Sequence, residues 1–165
     1  MKMTPELTKA QEKMQPGALS RDGFLGRDHR NLSQIIIEQQ AVCNRYCVSW
    51  EKLGQLMHKI GREGLATFGA PKVVDEKWEV VADENRGKMA CPFPHPGMHQ
   101  KTIYTVKNLR TNEQVRYTEL SCHLIEAHGF FQGLGAEFHN DPEKLFRVFE
   151  VGDGCEEMPE VPLQL

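Results

Sequence analysis

The 165-residue chain has no uncharged apolar run near the roughly 20 residues that a membrane-spanning helix needs. Its start, MKMTPELTKAQEKMQPG, lacks the apolar centre of a secretory signal. These absences predict a soluble, cytoplasmic protein with no membrane association. Aromatic residues are few, at 8%, and neither charge sign dominates: 20 Lys+Arg stand against 23 Asp+Glu, a formal net charge of -3. Mean hydropathy is -0.52, yet 39% hydrophobic residues suffice for one core. There is no G-X-Y period and no sustained heptad, which excludes collagen and coiled coil. Cysteine is scarce and odd in number, at five, which fits a disulfide scaffold poorly. With seven histidines beside them, these thiols suggest metal ligation.

Charge divides the chain into segments. Residues 1–30 carry six Lys/Arg and four Asp/Glu with few large apolar residues, and Pro16-Gly17 interrupts them, so a mobile N-terminal segment is expected. Residues 151–165, VGDGCEEMPEVPLQL, carry four acids and no base, and read as a disordered acidic tail. Between them, residues 31–150 form a nearly neutral body, expected to be a single domain.

Local patterns predict its elements. Asn31 followed by Gln34 reads as a variant capping box, and Ile35, Ile36, Gln39, Cys43, Tyr46 and Cys47 then recur at helical spacing on one apolar stripe. Ser49 can cap a second helix, buried through Leu53, Leu56, Met57 and Ile60, until Gly61, Gly64 and Gly69 end it. From Lys72 the period becomes two. KVVDEKWEVVADE predicts one hairpin turning near Asp75-Glu76, and KTIYTVKN with QVRYT predicts a second around LRTNE. Thr118 can cap a short helix, ELSCHLIEAH, stopped by Gly129, and Asp141-Pro142 starts a last one. The expectation is an α+β fold: an N-terminal helical hairpin, β-hairpins in a small antiparallel sheet, a short metal-bearing helix and a C-terminal helix.

The densest chemistry lies between Met89 and Phe131. CPFPH and HLIEAH together give Cys91-x3-His95-x27-His123-x4-His128. Zinc takes about four N/S donors in a tetrahedron, and a proline-stiffened loop with one helix face can supply them. Helix geometry is strained here, because residues five apart lie about 140° around an ideal helix; a last turn that tightens or unwinds would relieve it. His99 and Cys122 are spare donors, His99 as a replacement for His95. Cys43 and Cys47 share a helix face and fit the apolar stripe as core residues. Cys155 sits in the tail as an exposed thiol, and His29, His58 and His139 are scattered.

In this order of ligands, residues 91–128 resemble an expanded ββα zinc finger, in which two loop ligands, strands and a helix carrying two histidines enclose the ion. This chain departs in having His95 as the second ligand and a longer spacer, so the resemblance implies a metal site and not DNA recognition. The stretch from Met89 to Gly133 also resembles small bacterial proteins of uncharacterised function.

A closed four-ligand zinc ion leaves no position for substrate, so the expected function is binding or regulation around a structural metal. The alternative is a metal-dependent hydrolase in which three of His95, His99, His123 and His128 leave one position open, with Glu119 or Glu126 as general base. GFFQGLG would then be a lid, or else a loop pinned to the core by its aromatics. It is no phosphate loop, lacking the Lys-Ser/Thr, and neither a nucleophile elbow nor a dinucleotide fingerprint is present. The expected partner is a protein. Nucleic acid is a weaker expectation, resting on Lys101, Lys107, Arg110 and Arg116 with Tyr104 and Tyr117 as stacking platforms.

Overall fold

The computed structural model describes residues 2–152. Five α-helices and one four-stranded sheet appear among them: α1 (Pro5–Lys13), α2 (Leu32–Arg45), α3 (Trp50–Glu63) with a 3-10 turn at Gly64–Thr67, β1 (Lys72–Val74), β2 (Trp78–Ala90), β3 (Met98–Asn108), β4 (Gln114–Thr118), α4 (Glu119–His128) and α5 (Pro142–Phe149). The fold is α+β, as expected. The strands form an antiparallel meander in the order β1-β2-β3-β4.

Capping residues set the helix starts. Asn31, Ser49 and Thr118 each accept a hydrogen bond from the backbone amide three residues on, and Thr118 with Ser121 makes a full capping box. For α2 the cap is one-sided, with the Asn31 side chain bonded to the Gln34 amide. Pro142 opens α5 with its φ already suited to a helix.

Two apolar clusters hold these elements together. The larger packs one sheet face (Trp78, Val80, Ala82, Tyr104, Val106, Val115, Tyr117) against α3 and α5. Close approach of α3 needs glycine at two places: a Cβ on Gly61 would stand 2.7 Å from the Tyr104 ring, and one on Gly54 2.8 Å from the Cys122 carbonyl oxygen. The smaller cluster joins α1, α2 and α4 through Ala10, Met14, Leu32, Ile35, Leu120, Leu124 and Phe130.

Several expectations are corrected here. The lead-in, over its described residues 2–30, is part of the fold: Thr4 caps α1, Pro5 is its first residue, and Ala10, Met14, Phe24 and Leu25 are buried. The hairpins lie in one small antiparallel sheet, as expected, but β2 is longer than expected: it pairs with β3 from Trp78 and continues through the charged run 83–88 to Ala90, absorbing an irregularity between Asn85 and Lys88. On α2 the stripe ends at Cys43. Tyr46 and Cys47 lie beyond the last helical residue and are exposed, Cys47 with φ 54°, so Cys47 is not a core residue; nor is it among the free thiols of the described residues, which are Cys43, Cys91 and Cys122. Tyr104 and Tyr117 are fully buried in the core and present no ring for base stacking. The acidic tail expected at 151–165 lies, apart from Val151 and Gly152, outside the described residues. GFFQGLG is pinned: Phe130 and Phe131 are buried, and Gln39 holds the loop at the Phe131 amide and the Gln132 carbonyl.

No described helix is long and apolar enough to cross a membrane.

Candidate metal centre

The loop CPFPHPG, residues 91–97, is the turn that closes β2 onto β3, with Ala90 opposite Met98 and Met89 opposite His99. Cys91 and Phe93 anchor it: both are buried in the smaller cluster, and Phe93 stacks on the His128 ring at 4.0 Å and meets the Phe130 ring edge-on at 5.9 Å. Helix α4 approaches from the other side. Its start is fixed by the Thr118 box, and its end by Gly129, whose φ of 58° suits glycine and whose missing Cβ leaves room for Gln40 at 2.5 Å. Gln40 in turn donates to the His128 carbonyl oxygen at 3.2 Å.

These two elements bring Cys91, His123 and His128 together. One ligand atom from each lies within 4.8 Å of the others, and Cys91 Sγ stands 3.6 Å from His128 Nε2. The His123 and His128 rings are 5.3 Å apart and nearly perpendicular. The unwinding expected at the helix end does not occur, since α4 stays helical to His128 and closes on Gly129. The side chains bridge the angular gap instead, one nitrogen of His123 and one of His128 lying within 4.8 Å of each other. His95 stands outside the tight trio, but its ring centre is 4.6 Å from that of His123 and 5.6 Å from that of His128. His99 is 4.4 Å from His123 by the same measure. Cys122 is buried in the larger cluster, away from this group.

The electrostatics favour neutral donors. Burial, reinforced by neighbouring histidines, lowers His123 and His128 from 6.5 to about 4, and burial also lowers His99. Imidazole must be neutral to ligate a metal, so these rings are ready at neutral pH. Burial raises the Cys91 thiol, so a metal would have to displace its proton. His123 Nε2 and His99 Nε2 are both buried without a hydrogen-bond partner. Unpaired buried nitrogens are costly, and ligation would satisfy them.

A second polar group was not foreseen. Glu119, in the first turn of α4, accepts from the buried Tyr104 hydroxyl, pairs with His58 Nε2 at 2.6 Å and lies 3.6 Å from Arg62. His58 and Arg62 share an α3 face at i, i+4, the only signal the sequence carried. Glu126 accepts from Gln55 at 3.1 Å. His139 bonds the Gln132 carbonyl, and His29 is exposed.

Fold and site thus define an α+β protein carrying a compact Cys/His cluster that suits a metal ion. No family model matches the chain, and neither a curated protein nor a solved structure matches it.

Proposed function

We propose that this chain is a zinc-binding domain in which Cys91, His95, His123 and His128 hold a structural ion, and that it acts as a binding or regulatory protein. The observation that supports the reading most strongly is the convergence of Cys91, His123 and His128 within 4.8 Å from a loop and a helix packed together in the smaller cluster. One thiolate with three imidazoles matches the borderline character of zinc. The ion would cross-link the β2–β3 turn to α4 and supply folding energy to a site in which His123 Nε2 is buried and unpaired without it. The resemblance to an expanded ββα finger belongs to the same reading, with one further strand, β4, between the loop and the ligand helix.

The hydrolase alternative draws less support. It needs a free base beside an open coordination position, whereas Glu119 is engaged by Tyr104, His58 and Arg62, and Glu126 by Gln55. For the partner we favour protein over nucleic acid. Arg110 faces Glu150 at 3.7 Å, so the charge of the basic hairpin is partly offset.

Cobalt substitution tests the proposal. Co2+ bound by Cys91 gives an intense thiolate-to-metal absorption and a tetrahedral d–d spectrum, unchanged by added anions if no position is open. Loss of the thiolate band in Cys91→Ser supports it; absence of any Co2+ spectrum in the folded chain overturns it.

A further inference from the structure

The cluster holds one more donor than a tetrahedral ion uses. His95 and His99 flank His123 at 4.6 and 4.4 Å between ring centres, close to equal. They differ in setting. His95 is exposed, in a turn flanked by Pro94 and Pro96, whereas His99 is half-buried at the start of β3, held opposite Met89 by the sheet. The register accounts for its place: Met89 is two residues before Cys91, so pairing His99 with it sets the imidazole beside the ligand loop. Of the two rings, only His99 has a buried nitrogen with nothing to bond, and the same is true of its neighbour His123. Orphaned nitrogens on two adjacent rings whose centres are 4.4 Å apart point to a common ligand between them.

We propose that His99 is a further ligand of the same ion, so that the metal is held by Cys91, His123 and His128 plus either His95 or His99. The inference rests on the zinc reading above and adds its exchange chemistry. His95, solvated on a turn, is the ligand that leaves; His99, fixed in the sheet, is the ligand that receives. Zinc suits such an exchange, because its filled d shell imposes no geometry and five-coordinate intermediates are accessible. The exchange frees His95 and the exposed turn 94–97 to move while the ion stays bound, so the metal does not have to be lost for the loop to change partner.

Zinc competition against a chromophoric chelator tests this on the full chain with His95→Ala, His99→Phe and the double substitution. Phe keeps the ring volume at a half-buried position, and circular dichroism reports whether the sheet is intact. If His99→Phe does not fold, His99→Gln is measured instead. Removing even an outer-shell partner of a metal costs about 10- to 100-fold in affinity, so a sole fourth ligand should cost at least that. Exchange predicts that each single variant keeps one zinc and weakens by less than about tenfold, while the double variant weakens by about a hundredfold or more. The proposal is overturned if either single variant is as weak as the double, or if the double binds like the parent. Should the parent bind no zinc, the underlying zinc reading fails; should it bind zinc and lose it in Cys91→Ala, that reading stands whatever the histidine variants show.

Discussion

Lowering the pH should destabilise the metal-free chain well before its carboxylates titrate, and the buried imidazoles set the size of the effect. His123 and His128 titrate at about 4 in the folded chain against 6.5 for the free side chain, with burial as the main cause. Below pH 6.5 the unfolded chain binds protons that the folded chain refuses, so stability rises with pH across this window and is lost as pH falls through it. From about pH 7 to about pH 4.5 the fully buried limit is about 2 to 3 kcal/mol per imidazole. Both rings are only partly shielded from solvent, which reduces the figure by roughly half, to about 2 to 3 kcal/mol for the pair. For a chain of this size that is a fall in Tm of about 5 to 10 °C. The carboxylates act lower: Asp28, held by Arg30 at about 2, contributes stability that disappears only below its unfolded value of 3.8. The assay is thermal unfolding by circular dichroism in chelator across that range, on the parent and on His123→Gln. The substitution should remove about half the slope. A Tm independent of pH above 4.5, or one that rises on acidification, would refute the reasoning.

Other perturbations have outcomes of definite sign. Gly61→Ala would press a methyl group into the Tyr104 ring and should cost about 1 to 3 kcal/mol, read by urea unfolding; no change would mean that α3 and the sheet are less tightly apposed than 2.7 Å implies. Glu119→Ala leaves the buried Tyr104 hydroxyl without its acceptor and should cost about 1 to 3 kcal/mol in the same assay, while zinc affinity is largely kept. Trp78→Phe deletes the 2.7 Å bond from the indole nitrogen to the Val148 carbonyl and should lower stability by about 1 kcal/mol with zinc affinity unaltered, which separates damage to the larger cluster from damage at the metal centre.

What the chain disclosed of its fold depended on how local each signal is. Asn31, Ser49, Thr118 and Pro142 fix helix starts through contacts only a few residues long, and those starts were readable. Thr4 and Pro5 are the same kind of signal, but the polar composition of residues 1–30 concealed it; the few apolar residues, Ala10, Met14, Phe24 and Leu25, are the ones buried. The β2–β3 pairing was hidden for another reason. Residues 83–88, DENRGK, are exposed and bury no side chain, so no alternating pattern marks them, and backbone pairing to β3 alone makes them strand. At the site, the grouping of Cys91, His123 and His128 was legible because CPFPH and HLIEAH are short motifs. The network of His58, Tyr104 and Glu119 was not, since its members meet only when α3 and α4 pack on the sheet.

Metal stoichiometry of the untagged chain tests the central claim most directly. Purified without added metal and analysed by elemental mass spectrometry, the parent should carry about one zinc per chain, as expected for a closed four-donor site. Cys91→Ala and His128→Ala should each lose most of it, while His29→Ala, altered at an exposed histidine outside the cluster, should retain it. A parent chain that is fully folded and metal-free, and that takes up no zinc when it is supplied, would contradict the account.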